Sequence, residues 1–176
     1  MPVSYSVNKT LTTFSVRYRS AGPDGAGNYT LTQQYGFIPF DLAAAGIAAG
    51  TVESAALILR CTTIVGGGQD VLLRSSVDPN GFGATLDATN ADWKSSRDDT
   101  HDLISVTSTG FHTFTVNPAV LSYSGITYFS LYPNLTGSAP FQKSSAFNAK
   151  EAGTPSNRPV LRLTLFSGQV IFVQIS

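Results

Sequence analysis

The sequence predicts an all-β domain, an antiparallel sandwich or barrel, and three observations carry that prediction. Short stretches of period-two alternation recur along the chain, the breaks between them are rich in Gly, Pro, Asn and Ser, and no long stretch has a helical period. With 176 residues, 42% hydrophobic and 12% charged, and with 16 glycines, the chain is apolar enough to fold and too turn-rich for a helical bundle.

Residues 12–19 alternate Phe14, Val16 and Tyr18 against Thr13, Ser15 and Arg17, the pattern of a half-buried strand. Residues 21–27 are a Gly- and Pro-containing loop, after which residues 29–40 return as one longer, bent strand that pairs with the first as a hairpin. The alanine-rich stretch 41–50 carries two glycines and predicts a short connector instead of a helix. Residues 53–65 are the clearest strand, with Ala55, Leu57, Leu59 and Cys61 on one side and Ile58 and Arg60 on the other, and they should be central. Gly66-Gly67-Gly68 reads as a hairpin turn; it lacks the Lys-Ser/Thr of a phosphate loop. Further strands are predicted at 71–75, 111–117, 126–132, 160–166 and 170–175. Residues 78–108 form the longest stretch without period and hold Trp93. No repeat, linker or composition shift divides residues 1–176, which predicts a single domain.

Eleven basic residues balance eleven acidic ones, so no net field draws the protein to nucleic acid or to an anionic membrane. No apolar run approaches a membrane span, and residues 1–5 lack the features of a signal peptide, so with Met1 as the natural start synthesis is expected in the cytosol. The single cysteine, Cys61, lies in the central strand, where a small buried thiol is the expected state. Asn8, Asn28 and Asn134 open N-x-T triplets, frequent by chance in so threonine-rich a chain.

Catalytic patterns are sparse. No Gly-x-Ser-x-Gly elbow occurs, so a hydrolase nucleophile has no support and no enzyme is predicted. Asp98, Asp99 and Asp102 could offer oxygens to calcium, but their spacing fits no EF-hand loop, and a solvated loop is the expectation. His101 and His112 are the only imidazoles, too few with one buried thiol for zinc. No metal or cofactor is predicted.

Near the end, Ala146-Phe147-Asn148-Ala149-Lys150-Glu151 and then Arg158-Pro159-Val160-Leu161-Arg162-Leu163 set an aromatic, a small residue, a base and a glutamate before an alternating strand. Upstream, Gly36-Phe37-Ile38-Pro39-Phe40-Asp41-Leu42 and Glu53-Ser54-Ala55-Ala56-Leu57-Ile58-Leu59 frame a turn at Gly50-Thr51-Val52. Together these blocks, across roughly residues 35–165, resemble the DNRLRE family. The resemblance implies a carbohydrate-binding-like sandwich of the jelly-roll type, with about eight to ten strands, of a kind found on secreted polysaccharide-acting enzymes and on virion proteins, including those of phages.

Within the signature, Glu151 is predicted to pair with Arg158 or Arg162, since glycoside hydrolysis would need a second carboxylate that the signature lacks. Tyr29, Tyr35, Trp93, Tyr123, Tyr128 and Tyr132 are candidate contacts for a glycan or a protein partner. Tyr128 and Tyr132 share a parity opposite to Phe129 and Leu131, so only one set faces the core. Residues 166–176 add a strand beyond the resemblance, folding back through Ser167-Gly168. Val170 and Phe172 lie on one face of it and Ile171, Val173 and Ile175 on the other, which predicts burial of a face or edge by a neighbouring subunit. Two functions fit: a virion structural or accessory protein (capsid decoration, head fibre or tail component) partnered by itself or other virion proteins, or a glycan-binding module of an extracellular or receptor-binding protein.

Overall fold

The computed structural model describes residues 13–21, 30–34, 36–76, 99–134 and 141–175. Eleven strands run through them: β1 (Thr13–Ala21), β2 (Thr30–Gln34), β3 (Gly36–Asp41), β4 (Val52–Val65), β5 (Gln69–Ser76), β6 (Asp99–Val106), β7 (Gly110–Val116), β8 (Ile126–Pro133), β9 (Phe141–Asn148), β10 (Val160–Leu165) and β11 (Val170–Gln174). They make two antiparallel sheets packed face to face, a β-sandwich.

The first sheet is organised by β4. Its residues 55–61 pair with β7 along one edge, while the other edge takes β10 along residues 52–58 and β9 along residues 61–65. β10 therefore continues the line of β9 beside β4. β9 carries β1 and then β2, and β10 carries β11. The second sheet runs β3-β8-β5-β6. Setting aside β2, β10 and β11, the orders β1-β9-β4-β7 and β3-β8-β5-β6 are those of an eight-stranded jelly roll.

Strand alternation builds the core. Ala55, Leu57, Leu59 and Cys61 of β4 face inward with Phe114, Phe147, Leu161 and Leu163, against Ile38, Phe40, Val71, Leu73, Phe129 and Leu131 of the second sheet. Phe40 and Phe129 meet edge to face at 5.8 Å, and Phe14 stacks on Phe147 at 5.7 Å. Each large side chain so buried contributes about 1.5–3 kcal/mol.

Several expectations need correction. Residues 29–40 are not one strand: β2 pairs with β1 in the first sheet, and β3 pairs with β8 in the second. Residues 66–68 do not close a hairpin, because β4 and β5 belong to different sheets. All three glycines have positive φ, and a Cβ on Gly66 or Gly68 would collide with the carbonyl of Gln142 or Val106. Two strands, β6 and β9, form where none was predicted. The C-terminal hairpin forms, but through the three-residue loop Phe166-Ser167-Gly168 and not the two-residue link Ser167-Gly168: Gly168 N–H donates to Leu165 O and Leu165 N–H to Gln169 O, both at 2.8 Å, with Gly168 at φ 83 in the G1-bulge position.

Candidate interaction surface

The outer face of the first sheet is built by the parity that fills the core. Where Leu57, Leu161 and Val173 point in, Ala56, Arg162 and Phe172 point out. The register sets Thr115, Ala56, Arg162 and Phe172 in one row across β7, β4, β10 and β11. Val170 lies beside Thr164 on the same face, with Ile58 and Val160 half-buried nearby. Phe172 is 60% exposed, Val170 46% and Phe166, in the hairpin loop, 70%. Phe111 is exposed on this face too, opposite Arg60, and stands off from Phe172 by three strand spacings across and four residues along, about 20 Å.

The two faces predicted for the last strand thus have different fates. Val173 is buried, and Ile171 and Ile175 pack against the core, so that face is closed by the molecule itself. Val170 and Phe172 are left to solvent. Phe166 was missed in the sequence; its place two residues before a loop glycine, between apolar strands, is the signal that exposes it.

Tyr29, Tyr35 and Trp93 lie outside the described residues, as does Asp98. Tyr128 and Tyr132 are on the outer face of the second sheet, while Phe129 and Leu131 fill the core. Tyr128 is half-buried beside Pro39, and Tyr132 is buried. Tyr123 is a brace: its phenol donates to Pro118 O at 2.8 Å, and burial pushes its pKa up.

Glu151 is exposed in the turn after β9. Arg158 Nε donates to the carbonyl of buried Ala152 at 3.1 Å, and Arg162 is exposed beside Phe172. Backbone bonds shape the turn: Ala152 N–H to Ala149 O, Asn157 N–H to Thr154 O and Arg158 N–H to Pro155 O. A carboxylate at this exposure gains little from pairing.

The acidic segment is structural as well. Asp99 supplies backbone to β6, and both oxygens of Asp102 accept backbone N–H groups, Oδ1 from Leu103 at 2.8 Å and Oδ2 from Thr115 at 2.7 Å. His101 Nδ1 accepts from Asn117 N–H at 3.0 Å, and its Nε2 bonds Ser75 Oγ at 2.6 Å. These bonds fix the neutral tautomer with hydrogen on Nε2. His112 Nε2 bonds the Ser108 carbonyl. Among the described residues no three His, Cys, Asp or Glu side chains gather as metal ligands. Cys61 is buried, and desolvation raises its thiol pKa, which makes it a poor nucleophile.

Compared with known proteins, the chain matches no family model and no curated protein. The resemblance to DNRLRE domains therefore rests on the motifs quoted for it.

Proposed function

We propose that the chain is a non-catalytic structural or accessory protein of a virion, a capsid decoration, head-fibre or tail component built on a carbohydrate-binding-like jelly roll. It works by binding copies of itself or neighbouring virion proteins, after synthesis in the host cytoplasm. The observation that carries this reading is the concentration of exposed Phe166, Val170 and Phe172 on the C-terminal hairpin. Large apolar side chains grouped in this way mark contact surfaces.

Light scattering on the 18.6 kDa chain tests it, in the wild type and in a variant with the exposed Phe166, Val170 and Phe172 each changed to Ser, which keeps the buried Val173 in place. The wild type is expected to associate or to bind particles, and the variant to stay folded and monomeric. Full-length protein that remains monomeric at high concentration and binds no particle would sink the reading. The half-buried Tyr128 beside Pro39 favours a second reading, glycan binding on the outer face of the second sheet. A glycan-array signal lost in Tyr128→Ala, without any association of the chain, would put that second reading first.

A further inference from the structure

The hydrogen-bond phase of the hairpin determines what its free edge presents. Leu165 and Gln169 form a hydrogen-bonded pair, because Leu165 N–H donates to Gln169 O. Hydrogen-bonded and non-hydrogen-bonded pairs alternate along an antiparallel ladder. In the observed register, Leu163 with Ile171 and Leu161 with Val173 are therefore hydrogen-bonded pairs. Thr164 with Val170, Arg162 with Phe172, and Val160 with Gln174 are not. The backbone groups of Ile171 and Val173 point at β10, and those of Val170, Phe172 and Gln174 point outward. No described strand pairs with that outer edge, and all three residues are exposed.

We propose that β11 pairs antiparallel with β11 of a second copy, about a two-fold axis through Phe172, so that the first sheet runs continuously across a dimer. The inference rests on the assembly reading above and adds its symmetry and register. Phe172 then faces Phe172 of the second copy, and Val170 faces Gln174 in both directions. Each of these three pairs is of the hydrogen-bonded type, so two bonds in each of three pairs satisfy every outward N–H and C=O of the strand. A two-fold interface must be self-complementary, and a five-residue strand centred on Phe172 with outward groups at its first, third and fifth positions meets that demand.

Charge permits the approach. The strand Val170–Gln174 carries no ionisable side chain, so nothing at the axis meets a like charge. The nearest charge in the row is Arg162, one strand in; the two copies of it stand three strand spacings apart, about 14 Å, beyond the Debye length of about 8 Å at physiological salt.

Cysteine cross-linking in a glutathione redox buffer reads the register, and the buried Cys61 does not compete. Paired Cα atoms at a hydrogen-bonded site lie about 5.5 Å apart, within disulfide reach. Phe172→Cys is expected to convert to a disulfide dimer, as is the double variant Val170→Cys, Gln174→Cys. Val170→Cys alone is expected to stay reduced, because its two copies are four residues apart along the strand, about 14 Å. If the wild type associates but Phe172→Cys does not cross-link, or Val170→Cys alone does, the two-fold edge pairing is wrong while the assembly reading stands. A monomeric wild type removes both.

Discussion

β7 and β11 are both outer strands of the first sheet, and both turn backbone groups away from their inner neighbour. The outward N–H groups of Thr115 on β7 and of Asn117, one residue past its end, are taken up from the side by β6, one by the Asp102 carboxylate and the other by His101 Nδ1. His101 also reaches Ser75 in the second sheet and lies against Phe129, with centroids 5.8 Å apart, so the corner between the sheets is stitched by side chains. β3, an edge of the second sheet, carries Pro39, which has no N–H to leave open. β11 has none of these devices: no charge, no proline, no covering strand among the described residues. Edges left without such protection are templates for pairing. The contrast is between an edge that polar side chains close, β7, and an edge without charge, proline or covering strand among the described residues, β11, the one proposed above to pair with a second copy.

The largest effect expected from breaking that contrast is at the stitched corner. His101→Ala with Asp102→Ala removes the charge-assisted bond to Thr115 and both imidazole bonds, and leaves Ser75, 2% exposed, without its partner ring. The expected cost is about 3–5 kcal/mol, given about 1.5–3 kcal/mol for a bond to a charged group and a similar penalty for an orphaned buried hydroxyl. In a domain of this size that lowers Tm by about 10 °C. Association through β11 should be unaffected in the protein that remains folded. Thermal unfolding shifted by under about 1 kcal/mol would show that the corner is closed by packing alone.

That corner was hidden in the sequence for a physical reason. β6 opens with Asp99-Thr100-His101-Asp102, a polar run in which the side chains of His101 and Asp102 bond backbone of the other sheet's end at Thr115 and Asn117, so hydropathy cannot distinguish it from a solvated loop. β9 was hidden in the same way: of its inward residues Ser145 is polar and fully buried, and the strand is held by ladders to β1 and β4 on its two edges. The break between β2 and β3 escaped notice because alternation continues through it while the chain changes sheets. By contrast β4 and the β10–β11 hairpin were legible, the first from its length of apolar alternation, the second from a glycine loop between apolar strands. What the sequence could not decide was which apolar face of β11 is covered. The register that sets Val173 beside Leu161 and Ile171 beside Leu163 decides it, and that register is a tertiary fact.

A smaller effect sharpens the account of the stitched side. Tyr123 fixes the turn that follows Asn117 by donating to Pro118 O, and burial holds its pKa above the ordinary 10.0. The folded state prefers the neutral phenol, so its contribution is fully present below about pH 10 and is lost as pH rises through the raised value. Tyr123→Phe should cost about 1 kcal/mol at neutral pH and flatten the alkaline side of the stability profile. An alkaline limb unchanged in the variant would assign that loss to other groups.

The smallest effect on stability, and the largest on association, is expected at the bare edge. Phe172 is exposed, so Phe172→Lys should change monomer stability by no more than about 0.5 kcal/mol in chemical denaturation. In a two-fold pair the introduced lysine faces its own copy, and like charges directly opposite are destabilising, so association should fall and recover in part at high salt. A second variant separates charge in general from charge in this register. Val170→Lys with Gln174→Glu also places charge on the edge, but each lysine then faces a glutamate of the other copy across a hydrogen-bonded pair, and two such pairs flank an intact Phe172. That variant should associate at least as well as the wild type at low salt, and less well as salt rises, while Val170→Lys with Gln174→Lys should not associate at low salt. If both double variants dissociate equally, the edge is not paired two-fold about Phe172. If neither dissociates, contact between copies is made elsewhere, with exposed Phe111 the next surface to alter.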